Sequence, residues 1–134
     1  MTTLHLTLLP DKLAVCRLAA GSPLPEWAIS GGLISATWTP AETSVVCPAA
    51  VVPADIQAAC GWRAFAVAGP LDFGLTGILL SIAQPLADAG VSIFVISTYD
   101  TDYVLVQESA LDAAVAALTG AGHSVLPSVR QNIV

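Results

Sequence analysis

Between residues 63 and 126 the apolar pattern alternates between the two-residue repeat of a strand and the four-residue spacing of a helix face. Residues 63–68 (Arg-Ala-Phe-Ala-Val-Ala) alternate as a strand, and Gly69-Pro70 breaks it. Over residues 76–89, Ile78, Ile82 and Leu86 fall on one helix face. Pro85 lies inside that stretch. Its missing N–H leaves the Ser81 carbonyl without its helical partner and predicts a kink. Asp88-Ala89-Gly90 is a helix exit. Residues 91–97 are β-branched and aromatic, 98–101 form a polar turn, and 102–107 return as the partner strand. Ser109 is placed to cap a second helix with Leu111, Val115 and Leu118 on its buried face, and residues 123–126 give a last strand. The order β-α-β-β-α-β is the ferredoxin-like pattern, an α+β antiparallel four-stranded sheet with two helices on one face.

The first half is less regular. Residues 4–9 and 13–18 read as strands folded into a hairpin about Pro10-Asp11-Lys12. A helical turn is expected around Glu26-Trp27. Residues 33–39 and 44–47 are strand-like on either side of a turn at Pro40-Ala41-Glu42-Thr43. Pro53-Ala54-Asp55 opens a short helix that ends at Gly61. The strand candidates and late short helix of residues 1–61 leave open a degenerate copy of the unit in 62–134, which periodicity alone does not establish.

At 55% hydrophobic and 10% charged, the chain has ample apolar surface to repay the entropy of ordering, which excludes disorder. Its most apolar windows, residues 77–83 and 91–96, are too short to cross a bilayer. The apolar excess predicts burial between two copies, a homodimer. Ten acids against four scattered bases (Lys12, Arg17, Arg63, Arg130) give a net charge of −6, which argues against nucleic acid and anionic membrane surfaces. Met1-Thr2-Thr3-Leu4-His5 does not resemble a signal peptide, and three cysteines with no CxxC pair suit free thiols in a reducing cytoplasm.

No Walker loop, GxGxxG, GxSxG or HExxH occurs, and no cofactor is expected. His5 and His123 have no ligand-spaced partner, so no metal site is expected and both read as strand-end histidines. Cys16, Cys47 and Cys60 read as buried and inert. Two features carry a possible site. In the loop of residues 72–77, glycines permit close backbone approach, and the following helix N-terminus favours a carboxylate. Ser97-Thr98-Tyr99-Asp100-Thr101-Asp102 concentrates two acids in a charge-poor chain; one of them suits a cationic group. Both features also serve plain turns.

The run Gln84-Pro85-Leu86-Ala87-Asp88, then a strand, then Ser97-Thr98-Tyr99-Asp100-Thr101-Asp102-Tyr103-Val104-Leu105-Val106 resembles the ACT domains of the cytosolic arginine sensors (the CASTOR group) and their small bacterial relatives. The resemblance implies two ACT-like units in tandem, the first degenerate, binding an amino acid where ACT units meet and catalysing nothing. It implies ligand contacts from Gly74, Leu75, Thr76, Gly77, Ile78, Leu79, Ser81 and Ile82, then from Thr98, Tyr99 and Asp102. Leu75 stands where the sensors carry an acid, so the resemblance does not name arginine as ligand. Two other readings stay open: an interaction module with a vestigial site, and a small enzyme pairing Asp100 or Asp102 with His123.

Overall fold

The computed structural model describes residues 3–69 and 77–127. The chain divides into two compact units, Met1–Pro10 with Arg63–Val134, and Asp11–Trp62. The division at Trp62/Arg63 leaves the first strand grouped with the C-terminal unit.

In that unit, β1 (His5–Leu8) is followed by β5 (Gln57–Val67, from Arg63 onward), α1 (Ile78–Asp88), β6 (Ile93–Ser97), β7 (Asp102–Gln107), α2 (Leu111–Gly120) and β8 (Ser124–Pro127). The strand order is β8-β1-β5-β7-β6. From β5 onward this is the expected βαββαβ, with one difference: β1 sits between β5 and β8. It pairs antiparallel with β5 (Leu6 opposite Val67) and parallel with β8 (Leu6 opposite Val125). The sheet therefore has five strands instead of four. The expected hairpin of β1 with the next strand does not form. Both edges of β1 are taken, by β5 on one side and β8 on the other, so it has no edge left for the strand that follows.

One sheet face carries Leu4, Leu6, Phe65, Val67, Val104 and Val106, all buried. Ile82 and Leu86 from α1 and Ala114 and Leu118 from α2 pack into the same cluster, so both helices cover this face. The α1 stripe is the expected one. Ser109 does not cap α2. Residues Glu108–Ala110 form a 3₁₀ turn that runs directly into the helix, and Ala110 occupies the cap position.

The other unit consists of β2 (Leu13–Leu18), β3 (Ser35–Trp38), β4 (Thr43–Pro48) and the first half of β5, in the order β3-β4-β2-β5. Short 3₁₀ turns lie at Glu26–Ala28, as expected, and at Ala49–Val51. Residues 11–62 hold no α-helix. The short helix expected after Pro53 is a turn closed by Ile56 N–H on the Pro53 carbonyl at 3.2 Å. Gln57, Ala58 and Ala59 then pair with Arg17, Cys16 and Val15. Pairing with β2 overrides the helical leaning of Ala58-Ala59. Leu13 faces Trp62 while Val15 faces Ala59, so Cys60 and Gly61 together oppose Ala14. Gly61 takes φ 85°, as a bulge of this kind requires. Cys16 and Cys47 are buried as expected; Cys60, at the bulge, is exposed.

Candidate functional site

The hairpin β6–β7 sets Ser97 opposite Asp102. Cross-strand partners share a face, and Ser97 Oγ donates to Asp102 Oδ1 at 2.6 Å. This charge-assisted bond fixes the carboxylate's direction and leaves acceptor capacity for a second donor. Within the turn, Thr98 N–H and Thr98 Oγ1 donate to the Thr101 carbonyl at 2.8 and 3.1 Å. Thr98 Oγ1 also accepts from Thr101 N–H at 3.3 Å. The Thr98 hydroxyl therefore braces the turn, and its proton is already committed. Tyr99, at 81% exposure, and Asp100 project into solvent.

Thr101 Oγ1 donates to the Val67 carbonyl at 2.7 Å. Val67 is the last residue of β5, from which the chain runs on to α1. This bond ties the acidic turn to the end of β5, the last strand before α1. Of the expected loop residues, Gly74, Leu75 and Thr76 lie outside the described residues. Gly77 precedes α1 at φ 77°, and its carbonyl accepts from Ser81 N–H at 2.9 Å. The first-turn N–H groups of Ile78 and Leu79 are thus at a helix start, where the dipole favours an anion.

The α1 side chains divide. Leu79 and Leu80 are exposed, the latter at 64%, while Ile78 packs partly against the core. Ser81 Oγ donates back to the Ile78 carbonyl at 2.7 Å. Ile82 is fully buried among core residues. Its side chain faces the sheet and is not available at the surface where the resemblance implied contact.

His123 is buried, and both ring nitrogens lie on backbone groups: Nδ1 is 3.1 Å from Leu4 N and Nε2 is 2.9 Å from the Ser81 carbonyl. The pairing of His123 with Asp100 or Asp102 as acid and base is not what the structure builds. His123 supplies the donor that Pro85 withholds from Ser81. Of the contributions missed in the sequence, that of Ser97 was reachable by counting the register across the turn, and that of Thr101 was not, because its partner Val67 lies 34 residues away on β5. Among the described residues no His, Cys, Asp and Glu group is arranged to hold a metal, and no helix is long and apolar enough to cross a membrane.

Residues 57–120 match the family model of the ACT domain. The chain carries an ACT domain. A further family model, of an N-terminal domain, matches residues 11–55, inside the strand-only unit. A crystal structure of an Agobacterium tumefaciens protein is 36% identical with TM-score 0.91, each chain covered in full. The human cytosolic arginine sensor for mTORC1 subunit 1 is 40% identical over 58 residues, 42% of this chain and 18% of that protein. The ACT-domain chain thus spans under a fifth of this curated relative. The regulatory subunit of aspartate kinase from Thermus thermophilus shares the fold at TM-score 0.62 and 14% identity, over 87% of this chain and 95% of that one.

Proposed function

We propose that this protein is a non-catalytic regulatory module that binds a free amino acid at its ACT unit, with the ligand enclosed where the units of two copies meet. The observation that carries the reading is the Thr101–Val67 bond, which sets the Asp102 hairpin at the sheet end from which the chain leads to α1. A zwitterion needs donors for its carboxylate and an acceptor for its ammonium group. The α1 start offers the former, through the N–H groups of Ile78 and Leu79, and Asp102, oriented by Ser97, offers the latter. Tyr99 lies at the turn tip beside the ligand, and the strand-only unit is the remnant of a first ACT-like repeat. The relationship to an arginine sensor supports the ligand class.

A thermal-shift screen of the twenty amino acids tests this. A ligand at a hundred times its Kd adds about 2.7 kcal/mol of stability. Exposed Leu79 and Leu80 beside the site favour a second reading, an interaction surface with a vestigial ligand site. A screen blank for every amino acid selects that reading.

A further inference from the structure

The hydrogen bonds of His123 determine its chemical state. Leu4 N–H has only a proton to give, so Nδ1 accepts; the Ser81 carbonyl only accepts, so Nε2 carries the proton. The ring is held as one neutral tautomer at 4% exposure. Three elements meet there. Leu4 leads into β1, Ser81 lies in the N-terminal half of α1, and the His123 N–H bonds to the Leu118 carbonyl of α2 at 3.1 Å. The Ser81 carbonyl is available because position 85 is proline. The carboxylates of these elements lie at the surface; the other histidine, His5, follows Leu4 directly and meets Ser124, the residue after His123. Asp88 on α1 is exposed and accepts from Gln84 Nε2, Asp112 on α2 is exposed, and His5 on β1 is exposed with Nδ1 at Ser124 Oγ.

We propose that His123 is a proton-sensitive latch joining the N-terminal strand to α1. A second proton on the ring would sit on Nδ1 and point at the Leu4 N–H, replacing an attraction with a clash of two donors. The Leu4 bond then opens, and the entry to β1 and the Ser81 turn of α1 loosen together. The latch does not depend on the reading of the ligand site, and it gives that helix a response to acidification.

The test is amide hydrogen exchange by NMR on the full chain at about pH 7.5 and about pH 5.5, corrected for intrinsic exchange rates. Protection of Leu4 should fall roughly tenfold on acidification, the scale of losing one hydrogen bond. Protection of core amides in β7 should fall less. In His123→Phe, which keeps a planar ring without nitrogens, Leu4 should be weakly protected at both pH values. Leu4 protection that is unchanged by pH in the wild type overturns the latch, and so does a fall of the same size in His123→Phe, which assigns the response to His5. Imidazole ¹⁵N shifts of the wild type keep the test decisive if the variant does not fold: a proton on Nδ1 at neutral pH also overturns it.

Discussion

Thr101→Val isolates the bond that holds the acidic turn to the sheet. Valine preserves the β-branched shape and removes only the hydroxyl that donates to the Val67 carbonyl at 2.7 Å. The bond is partly buried, so the loss combines one hydrogen bond with incomplete rehydration of the carbonyl, about 1.5 kcal/mol in all. With an unfolding entropy of about 2 cal/mol/K per residue over 134 residues, that corresponds to a fall in Tm of about 5 °C. Thr101→Ser keeps the donor and should lose less than half as much. Differential scanning calorimetry of the three proteins measures both shifts. A Thr101→Val protein melting within about 1 °C of wild type would refute the argument, because the turn would then be held by β6–β7 pairing alone.

The thiols should separate cleanly. Cys60 reacts promptly with a thiol reagent in the native chain, and Cys16 and Cys47 react only on unfolding. Burial first, then the nearby Cys16, pushes the Cys47 thiol from 9.0 up to about 12, and burial likewise raises Cys16. The unfolded chain therefore releases these protons first. Their stabilising contribution is complete below about pH 9 and is lost as pH rises toward about 12. Urea midpoints measured along that range should decline, and decline less in Cys47→Ala. Gly77→Ala meets nothing within 4 Å, so its cost is the φ of 77° alone, about 1 kcal/mol in a chemical melt.

The regular half of the fold was legible because its apolar residues follow one period per element. Ile82 and Leu86 point into the core as their spacing requires, and the 97–102 register follows from turn length. What escaped was decided by partners distant in sequence. Nothing local in residues 5–8 says that they enter between β5 and β8, and Ala58-Ala59 becomes strand only because β2 lies beside it. Cys60 was misplaced for the same reason: an apolar neighbourhood in sequence suggests burial, but the bulge with Gly61 leaves it exposed. At the site, Asp102 was identifiable as a strand-end acid, and its alignment by Ser97 came from the pairing. The proline-orphaned Ser81 carbonyl was foreseen. Its partner, His123, lies 42 residues away and carried no sequence signal linking the two.

The central claim, that Asp102 holds the ammonium group of a bound amino acid, is tested most directly by titration calorimetry on matched Asp100→Asn and Asp102→Asn proteins, with the amino acid that gives the largest thermal shift. Asp102→Asn should weaken binding by about 1.5–3 kcal/mol, the loss of one charge-assisted contact, and Asp100→Asn, exposed at the turn, by well under 1 kcal/mol. Equal and negligible effects from the two variants, or no amino acid bound by the wild-type chain, would contradict it.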